Sequence, residues 1–268
     1  MNFKPTILKL GGSVITEKEK PLTPNLHAIG RLAEEISQAK PFSLILVHGG
    51  GSFGHPVAKQ YGIADGYVDH SQVLGFAATH LAMTLLNSWV MEALISRNIP
   101  AVDVNPSSCL VTADGRIKSM ELKPLKKMVK MGIVPVLYGD AVPDTKKGFT
   151  ILSGDQLVSW LAIKLGADRI IMGADVDGLF SADPKFDSSA KLIDHITLEE
   201  LKNLEHNIQG SRATDVTGGM LGKMREVAHA IDHDIETLIV NATISGMVYK
   251  ALTREKVNGT IIEKGCEN

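Results

Sequence analysis

The feature of this sequence that most constrains its fold is an apolar run that ends in a series of glycines. Ser43–Val47 is rich in aliphatic residues and is followed by His48 and then by Gly49-Gly50-Gly51. The run predicts a buried strand, and the glycines predict a loop whose bare backbone can adopt positive φ angles. Such a loop exposes N–H groups that can surround an anion, and His55 closes it. The segment therefore predicts an α/β protein with a phosphate-binding loop at the end of a strand.

Two other segments repeat this pattern, and each places a lysine beside glycines. Thr6–Leu10 is an apolar run that carries Lys9 and ends in Gly11-Gly12-Ser13. A lysine inside an apolar strand loses hydration, so it indicates either a compensating anion or a position on an exposed edge. Thr217-Gly218-Gly219 opens a predicted helix that carries Lys223, and the free N–H groups of a helix start favour phosphate. Each segment alone also fits an ordinary structural role, but the three together indicate a protein that handles phosphate.

Short β-rich runs alternate along the chain with longer amphipathic stretches, which is typical of a mostly parallel sheet covered by helices. The predicted strands are Thr6–Leu10, Ser43–Val47, Ala101–Val104, Val134–Tyr138, Arg169–Met172, Leu238–Val240 and Gly259–Ile262. The predicted helices are Pro24–Ala39, Val73–Ser96, Lys123–Met131, Gly154–Leu165, Leu198–Asn203, Gly219–Ile231 and Ser245–Leu252. Two hairpins interrupt the alternation, at Cys109–Lys118 and at Gly139–Ile151. The sequence therefore predicts an α/β, three-layer αβα sandwich.

Composition limits the functions that are open to this chain. Its 268 residues are 44% hydrophobic, and no long linker divides them, so we expect one domain over residues 1–268 with two functional halves that meet near residue 165. The net charge of −2 argues against a nucleic-acid or anionic-membrane partner. Cys109 and Cys266 lack the spacing of a disulfide framework or a zinc site. Because no signal segment and no uninterrupted apolar run of about 18 residues is found, we expect a cytoplasmic protein.

A dinucleotide site is the first alternative to a phosphate-transfer site. Gly49-x-Gly51-x-x-Gly54 follows a strand and matches the dinucleotide-binding pattern. That pattern also requires an acidic residue at the end of the next strand, about 20 residues on. Asp65 and Asp69 lie instead in a polar stretch. The sequence therefore argues against NAD binding.

Five motifs, in order and over nearly the whole chain, resemble the amino acid kinase superfamily: Lys9-x-Gly11-Gly12-Ser13, Gly49-Gly50-Gly51, Ser153-Gly154-Asp155, Asp175–Pro184 and Thr217-Gly218-Gly219-Met220-x-x-Lys223. Within it, the stretches His48–His55 and Gly12–Lys18 resemble the isopentenyl phosphate kinase family. Fosfomycin kinases share the histidine at position 55 and remain the alternative. A non-catalytic nucleotide-binding protein of the same fold is a further alternative, but it is expected to lack some of the phosphate-binding lysines.

The resemblance implies an amino acid kinase fold, ATP with Mg²⁺, isopentenyl phosphate as acceptor and a homodimer. It implies that Lys9 and Lys223 bind the ATP phosphates, that Lys18 stabilises the transferred group and that Asp155 organises the lysines. His55 would bind the acceptor phosphate. Backbone contacts to the two phosphate groups are expected from Gly11, Gly12, Ser13, Gly50, Gly51, Gly54, Gly154 and Gly219.

The resemblance also places the loop after the strand Arg169–Met172 around the nucleotide. Asp175 is the expected nucleotide contact there, and Asp177 and Asp183 are weaker candidates. The apolar tail of the acceptor would need a slot near the histidine, and the expected lining residues are Met83, Leu86 and Ile151. No protein-supplied magnesium site is identified, since Mg²⁺ is often held through substrate phosphates.

Overall fold

The computed structural model describes residues 4–182, 189–210 and 218–265. The strands are β1 (Thr6–Leu10), β2 (Leu44–His48), β3 (Ala101–Asp103), β4 (Leu110–Ala113), β5 (Arg116–Met120), β6 (Val134–Tyr138), β7 (Asp140–Asp144), β8 (Gly148–Leu152), β9 (Arg169–Ala174), β10 (His195–Thr197), β11 (Glu236–Asn241) and β12 (Gly259–Glu263). Within these residues, eight strands form one sheet in the order β10-β12-β11-β9-β1-β2-β6-β3. Its neighbours are parallel except for β11 and β12. The predicted mostly parallel central sheet is confirmed.

Helices cover both faces of this sheet. They are α1 (Gly12–Ile15), α2 (Leu26–Ala39), α3 (Gly51–Gln60), α4 (Ser71–Ile95), α5 (Pro106–Cys109), α6 (Lys123–Lys130), α7 (Gly154–Leu165), α8 (Leu198–Gly210), α9 (Gly218–Asp232) and α10 (Met247–Thr253). On β1, Ile7 packs in a core with side chains of α7 and α9, and Leu8 packs in a second core with side chains of α2 and α4. Because successive strand residues point to opposite faces, one strand serves both cores. The three-layer αβα sandwich is confirmed.

The two predicted hairpins form a second sheet in the order β5-β4-β7-β8. Pairs β4–β5 and β7–β8 are antiparallel, and β4 joins β7 through the pair Thr112 and Asp144. Gln156 of α7 fixes this sheet to the central layer. Its side chain accepts a hydrogen bond from the Ile117 amide at 2.9 Å and donates to the Gly115 carbonyl at 3.0 Å. The hairpins therefore stand beside the start of α7.

The sequence-based prediction that residues 49–55 form a loop is wrong, because α3 begins at Gly51 and continues through Pro56. Proline removes the N–H group that would bond the carbonyl four residues earlier, here that of Ser52. That carbonyl accepts a hydrogen bond from the Leu22 amide at 3.1 Å instead. The cost of proline inside the helix is therefore offset by the neighbouring segment. The prediction also missed the short elements α1, α5 and β10, which are too brief to show a periodic pattern.

Helix α4 is apolar on two sides. Among the described residues it is the one helix that is long and apolar enough to cross a membrane by length and composition. In this fold it packs against α2 and α3 and buries Met83, Leu86 and Val90 together with the polar side chain of Asn87. A second face of the helix, which carries Leu81, Leu85 and Trp89, is exposed. The buried side makes α4 a layer of the sandwich, and the exposed apolar side is unusual for the surface of a monomer.

Candidate active site

Four loops at the carboxyl edge of the central sheet surround one cavity of about 520 Å³. They follow β9, β1, β2 and β6, which are consecutive strands in the sheet. The first turn of α7 and the side chain of Lys223 from α9 also line the cavity. Because parallel strands end at the same edge of a sheet, loops that are far apart in the sequence meet here.

Most residues that the sequence predicts for the site line this cavity: Lys9, Gly11, Gly12, Ser13, Lys18, Gly50, Gly51, Gly54, His55, Met83, Ile151, Gly154, Asp155, Asp175 and Lys223. Two are not among its lining residues. Leu86 has no exposed surface and packs inside the core between the sheet, α2 and α4. Gly219 lies in the first turn of α9, which is as much as the structure describes of it. The structure therefore gives no support for Leu86 as a residue that contacts the acceptor.

The loops after β1 and β2 pack backbone against backbone, and only glycine fits at their contact. A Cβ atom on Gly12 would lie 2.2 Å from the amide nitrogen of Gly51, and one on Gly51 would lie 2.2 Å from Oγ1 of Thr16. Gly51 also has a φ of +48°, in the left-handed region. The Gly49 amide donates to the Leu10 carbonyl at 3.0 Å and ties the two loops together. The close approach brings two sets of backbone groups to one wall of the cavity.

Lys9 is a buried cation at this wall. It is 4% exposed, and its Nζ lies 2.8 Å from Oδ1 of Asp155. Strand β1 lies between β2 and β9, so the alternative that Lys9 occupies an exposed edge is excluded. Asp155 is in the first turn of α7, where the Ser153 hydroxyl accepts a hydrogen bond from the Gln156 amide at 3.1 Å. The capped helix holds the carboxylate, and the carboxylate holds the ammonium group at the cavity.

His55 projects from α3 at the cavity. The Gly54 amide donates to the Gly50 carbonyl at 3.3 Å, so this predicted phosphate donor is engaged within the helix. Removal of water by the cavity walls lowers the pKa of His55, and the positive charges of Lys223 and Lys9 lower it further, while Asp155 opposes them. The imidazole is therefore neutral near pH 7 when no anion is bound. A dianion beside it would reverse the electrostatic balance and favour the charged form.

Lys18 is exposed and lines the cavity from a short loop that is anchored at its base. Thr16 pairs with Pro24 as an isolated bridge, and the Glu17 amide donates to the Thr23 carbonyl at 2.9 Å. The loop between these contacts carries the Lys18 side chain. Its anchored base and exposed tip place a cation at the cavity without burying it.

A narrow recess beside the main cavity is lined by Lys9, Gly11, Ser13, Asp175 and Lys223. All five are residues for which the sequence predicts contact with the nucleotide. Asp175 is exposed there, at the end of β9. Of the weaker candidates, the Asp177 carboxylate accepts a hydrogen bond from the Asn241 side chain at 2.8 Å, and Asp183 lies outside the described residues.

The apolar part of the cavity wall comes from α3, α4 and the end of β8. Met83 packs against the first turn of α3 so closely that a Cβ on Gly54 would lie 2.8 Å from its Sδ. Ala58 and Ile151 also line the cavity, and both belong to a cluster with Phe149 and Ile63. This cluster lies next to the apolar wall, so the slot is bounded by packed side chains.

The sequence analysis missed several polar residues at the cavity, among them Thr16 and Asp140. Thr16 is buried, and its hydroxyl donates to the Gly12 carbonyl at 2.8 Å and accepts from the Ser52 amide at 3.1 Å. Asp140 lines the cavity just after β6, and burial raises its pKa to about 6, against the hydrogen bond from His80. The run Val134–Tyr138 into Gly139-Asp140 repeats the strand-to-glycine pattern, and this pattern would have identified Asp140. No local pattern identifies Thr16, since its bond to the Ser52 amide joins residues 36 positions apart in the sequence.

Comparison with known proteins identifies the family to which this chain is similar. The chain matches the amino acid kinase family over residues 4–241. It is 41% identical over 265 residues to the isopentenyl phosphate kinase of Methanothermobacter thermautotrophicus, an alignment that covers 96% of this chain and 98% of that protein. It is 38% identical over 268 residues to the isopentenyl phosphate kinase of Methanocaldococcus jannaschii, covering 96% of this chain and 98% of that one.

A solved structure agrees with these relatives. An X-ray structure of isopentenyl phosphate kinase superposes with a TM-score of 0.83 and 37% sequence identity, over 96% of this chain and 99% of that chain. The similarity therefore includes the strands, the loops and the helices that form the cavity. On the family match and on these relatives, the chain belongs to the amino acid kinase family.

Proposed function

We propose that this chain catalyses the ATP-dependent phosphorylation of isopentenyl phosphate to isopentenyl diphosphate. The observation that carries the proposal is the convergence of Lys9, Lys18, Lys223 and His55 around one cavity between two glycine loops. Phosphoryl transfer depends on positioning and on charge stabilisation, so two anionic ligands that react end to end need such cationic surroundings. The 41% identity to an isopentenyl phosphate kinase supports the choice of acceptor.

The acceptor supplies its own nucleophile. A phosphate monoester has a second pKa of about 6, so near neutral pH it is largely a dianion and needs no general base. The barrier is the repulsion between this dianion and the ATP phosphates. Lys18, on its exposed loop, is suited to follow the transferred group, and Lys9 is held at the wall by Asp155. In this mechanism the lysines reduce the repulsion, and no side chain removes a proton.

His55 and the apolar wall define the acceptor side. The neutral imidazole can donate one N–H to the acceptor phosphate. The charge of a bound dianion would raise the pKa of His55 from its lowered value and so favour the doubly protonated imidazole. Met83 and Ile151 line the same cavity as His55 and offer apolar surface to a short hydrocarbon tail. Burial of such a tail contributes about 0.8 kcal/mol per CH₂ group.

The nucleotide side is the recess that Lys9, Asp175 and Lys223 line. Lys9 and Lys223 would bind the ATP phosphates, and backbone groups at Gly12, Ser13, Gly51 and Gly219 would add hydrogen bonds. Gly11 would line the site without donating, because its amide already donates to the Gly173 carbonyl at 2.8 Å. Mg²⁺ enters as the complex with ATP, because this ion keeps several waters and is commonly bound through substrate phosphates. The use of ATP also suits the cytoplasmic location that we propose for the chain.

We also propose that the chain forms a homodimer through the exposed face of α4. Leu74, Leu81, Leu85 and Trp89 recur at helical spacing on that face and are 65%, 58%, 49% and 40% exposed. A row of large apolar side chains on the surface favours a protein partner, and a two-fold axis would pair the row with itself. Leu81→Glu should convert the dimer to a monomer in sedimentation experiments. Phe42→Glu, a change at another exposed apolar residue, should not.

A coupled assay for ADP tests the acceptor directly. The chain is offered isopentenyl phosphate and fosfomycin in parallel, and ³¹P NMR identifies the product. We expect formation of a diphosphate from isopentenyl phosphate and little turnover of fosfomycin. Preferred turnover of fosfomycin would refute the proposed acceptor, and absence of ATP-dependent product from both would refute the proposed reaction.

Two variants test the division of the cavity. His55→Ala should raise KM for the acceptor at least tenfold and leave KM for ATP within about twofold, because hydrogen bonds to charged groups contribute about 1.5–3 kcal/mol. Lys18→Ala should lower kcat more than it changes either KM, since the interaction is made with the transferred group. His27→Ala, at an exposed histidine outside the cavity, is the control. Equal loss of affinity for both ligands in the His55 variant would contradict the assignment.

A further inference from the structure

A bidentate ion pair joins the β4–β5 hairpin to helix α9. The two terminal nitrogens of Arg116 lie 2.6 and 2.9 Å from the two carboxylate oxygens of Glu226. The residues are 110 positions apart in the sequence. The Glu226 carboxylate raises the pKa of the Arg116 guanidinium through these hydrogen bonds, so the guanidinium is charged over the whole physiological range. Two parallel N–H···O bonds fix orientation as well as distance, which a single contact does not.

The hairpin end of this pair is rigid. Gly115 and Ile117, on either side of Arg116, are both bonded to the side chain of Gln156, at 3.0 and 2.9 Å. The Gly115 amide also donates to the Asp144 carboxylate at 2.8 Å. Gln156 directly follows Asp155, the partner of Lys9. The backbone of Arg116 is therefore fixed relative to the same helix turn that holds Lys9.

The helix end of the pair lies one turn from Lys223. Lys223 lines the cavity, and Glu226 follows it by three residues on α9, which places the two side chains on neighbouring parts of the helix surface. Met224, Val227 and Ala230 of the same helix pack in the core. Core packing sets the depth of α9 against the sheet, and the arginine fork restrains the turn that carries Lys223 from the hairpin side.

We propose that Arg116 and Glu226 are positioning residues that set the place of Lys223 relative to the Lys9–Asp155 pair. The inference rests on the proposed function, in which Lys223 binds the ATP phosphates. The connection runs from Lys9 through Asp155 and Gln156 to the hairpin, and from Arg116 through Glu226 to α9. Lys223 is thereby connected to the Lys9–Asp155 pair through Gln156, Arg116 and Glu226, which do not themselves line the cavity.

Steady-state kinetics with both substrates test the proposal. Arg116→Ala and Glu226→Gln should each raise KM for ATP about three- to tenfold and lower kcat two- to threefold, with KM for the acceptor within twofold. The double variant should be no worse than either single change, because both remove the same interaction. Arg116→Lys, which keeps the charge without the fork, should fall between wild type and Arg116→Ala. Arg97→Ala, which breaks the exposed pair with Glu34, should leave all constants unchanged.

Thermal unfolding and a third variant separate the ways in which the proposal can fail. If Arg116→Ala lowers the unfolding temperature but leaves KM for ATP unchanged, the pair is only structural and the inference is overturned. It is also overturned if the two single effects add in the double variant. Lys223→Ala should raise KM for ATP more than either change in the pair. If it does not, the proposed nucleotide site fails together with the inference. If it does while the pair variants behave like wild type, only the inference fails.

Discussion

The two ends of strand β7 carry buried aspartates whose surroundings differ. Asp140 begins the strand at the cavity, and Asp144 ends it at the turn of the second sheet. Both are largely removed from solvent, at 2% and 5% exposure. Burial raises the pKa of the Asp140 carboxyl to about 6, yet the pKa of Asp144 lies well below its usual range. Burial alone therefore does not determine the charge of a carboxyl group in this protein.

The difference lies in the number of hydrogen-bond donors. Burial also acts to raise the pKa of Asp144, but its carboxylate accepts five hydrogen bonds at 2.8–3.0 Å, from the amides of Asp114, Gly115, Lys146 and Lys147 and from the hydroxyl of Thr112. Asp140 accepts two, from the Ala141 amide and from Nδ1 of His80, each at 2.8 Å. A buried carboxylate surrounded by donors stays charged to low pH, and one with few donors takes up a proton at a higher pH. Asp144 thus fastens two hairpins, while Asp140 can change its charge beside the cavity.

The largest expected effect comes from removing the charge of Asp144, the aspartate that accepts many hydrogen bonds. Asp144→Asn should lower the free energy of unfolding by about 3–4 kcal/mol at pH 7, because the amide can satisfy few of the donors that meet the carboxylate. The loss is measured by denaturant titration followed by circular dichroism. A loss below about 1 kcal/mol would show that water replaces the carboxylate at this turn.

The pH dependence of the stability difference between wild type and Asp144→Asn tests the direction of the Asp144 pKa shift. The folded-state pKa of Asp144 is depressed, so its contribution is present above the unfolded value of about 3.9 and is lost as pH falls through the folded value. The difference in unfolding free energy between wild type and Asp144→Asn should therefore decrease below about pH 4. A constant gap down to pH 2 would assign the loss to packing.

Asp140 is expected to contribute the opposite pH dependence to the stability of the protein, and the effect should be smaller. Its folded-state pKa of about 6 lies above the unfolded value, so the folded protein loses stability as pH rises from about 4 to 6. Asp140→Asn removes this slope. Relative to wild type, the variant should gain on the order of 2 kcal/mol between pH 4 and pH 7. Parallel stability curves for the two proteins would mean that His80 holds the carboxylate charged throughout.

The contrast between these aspartates also shows what the sequence alone can predict. Local patterns predict the glycine loops, Lys9 and Lys223, and the alternation of elements predicts the mostly parallel sheet. The bond between Asp140 and His80 spans 60 positions and has no local signature. Met83 and Leu86 are both apolar residues of α4, and only packing shows that one faces the cavity and the other the core. Likewise, the Ser52 carbonyl, which Pro56 leaves without a helical partner, accepts its hydrogen bond from the Leu22 amide of a separate loop.

A single donor can be removed from the Asp144 turn without disturbing the others. Thr112→Val should cost about 1 kcal/mol of unfolding free energy, since the hydroxyl bonds the Asp144 carboxylate at 2.8 Å, with a second contact to the Pro143 carbonyl at 3.0 Å, and valine suits a strand. Thr112→Ser keeps the hydroxyl and is the matched control. If both variants lose the same amount, the methyl group and not the hydrogen bond stabilises the turn.

The smallest expected effect is a change in KM for the acceptor, and we expect it for a substitution at Asp140 but not at Asp144. Above pH 6 a charged Asp140 carboxylate near the cavity repels an anionic acceptor, so Asp140→Asn should lower KM for isopentenyl phosphate about twofold at pH 7.5. At pH 5.5, where wild-type Asp140 is mostly protonated, the two proteins should have equal KM values. Asp144 does not line the cavity, so its Asn variant should leave KM unchanged wherever it is folded. A lowered KM at both pH values would indicate an altered cavity shape. An equal shift in the Asp144 variant would show that the two ends of the strand are not independent, because a change at either end would then reach the acceptor through the sheet.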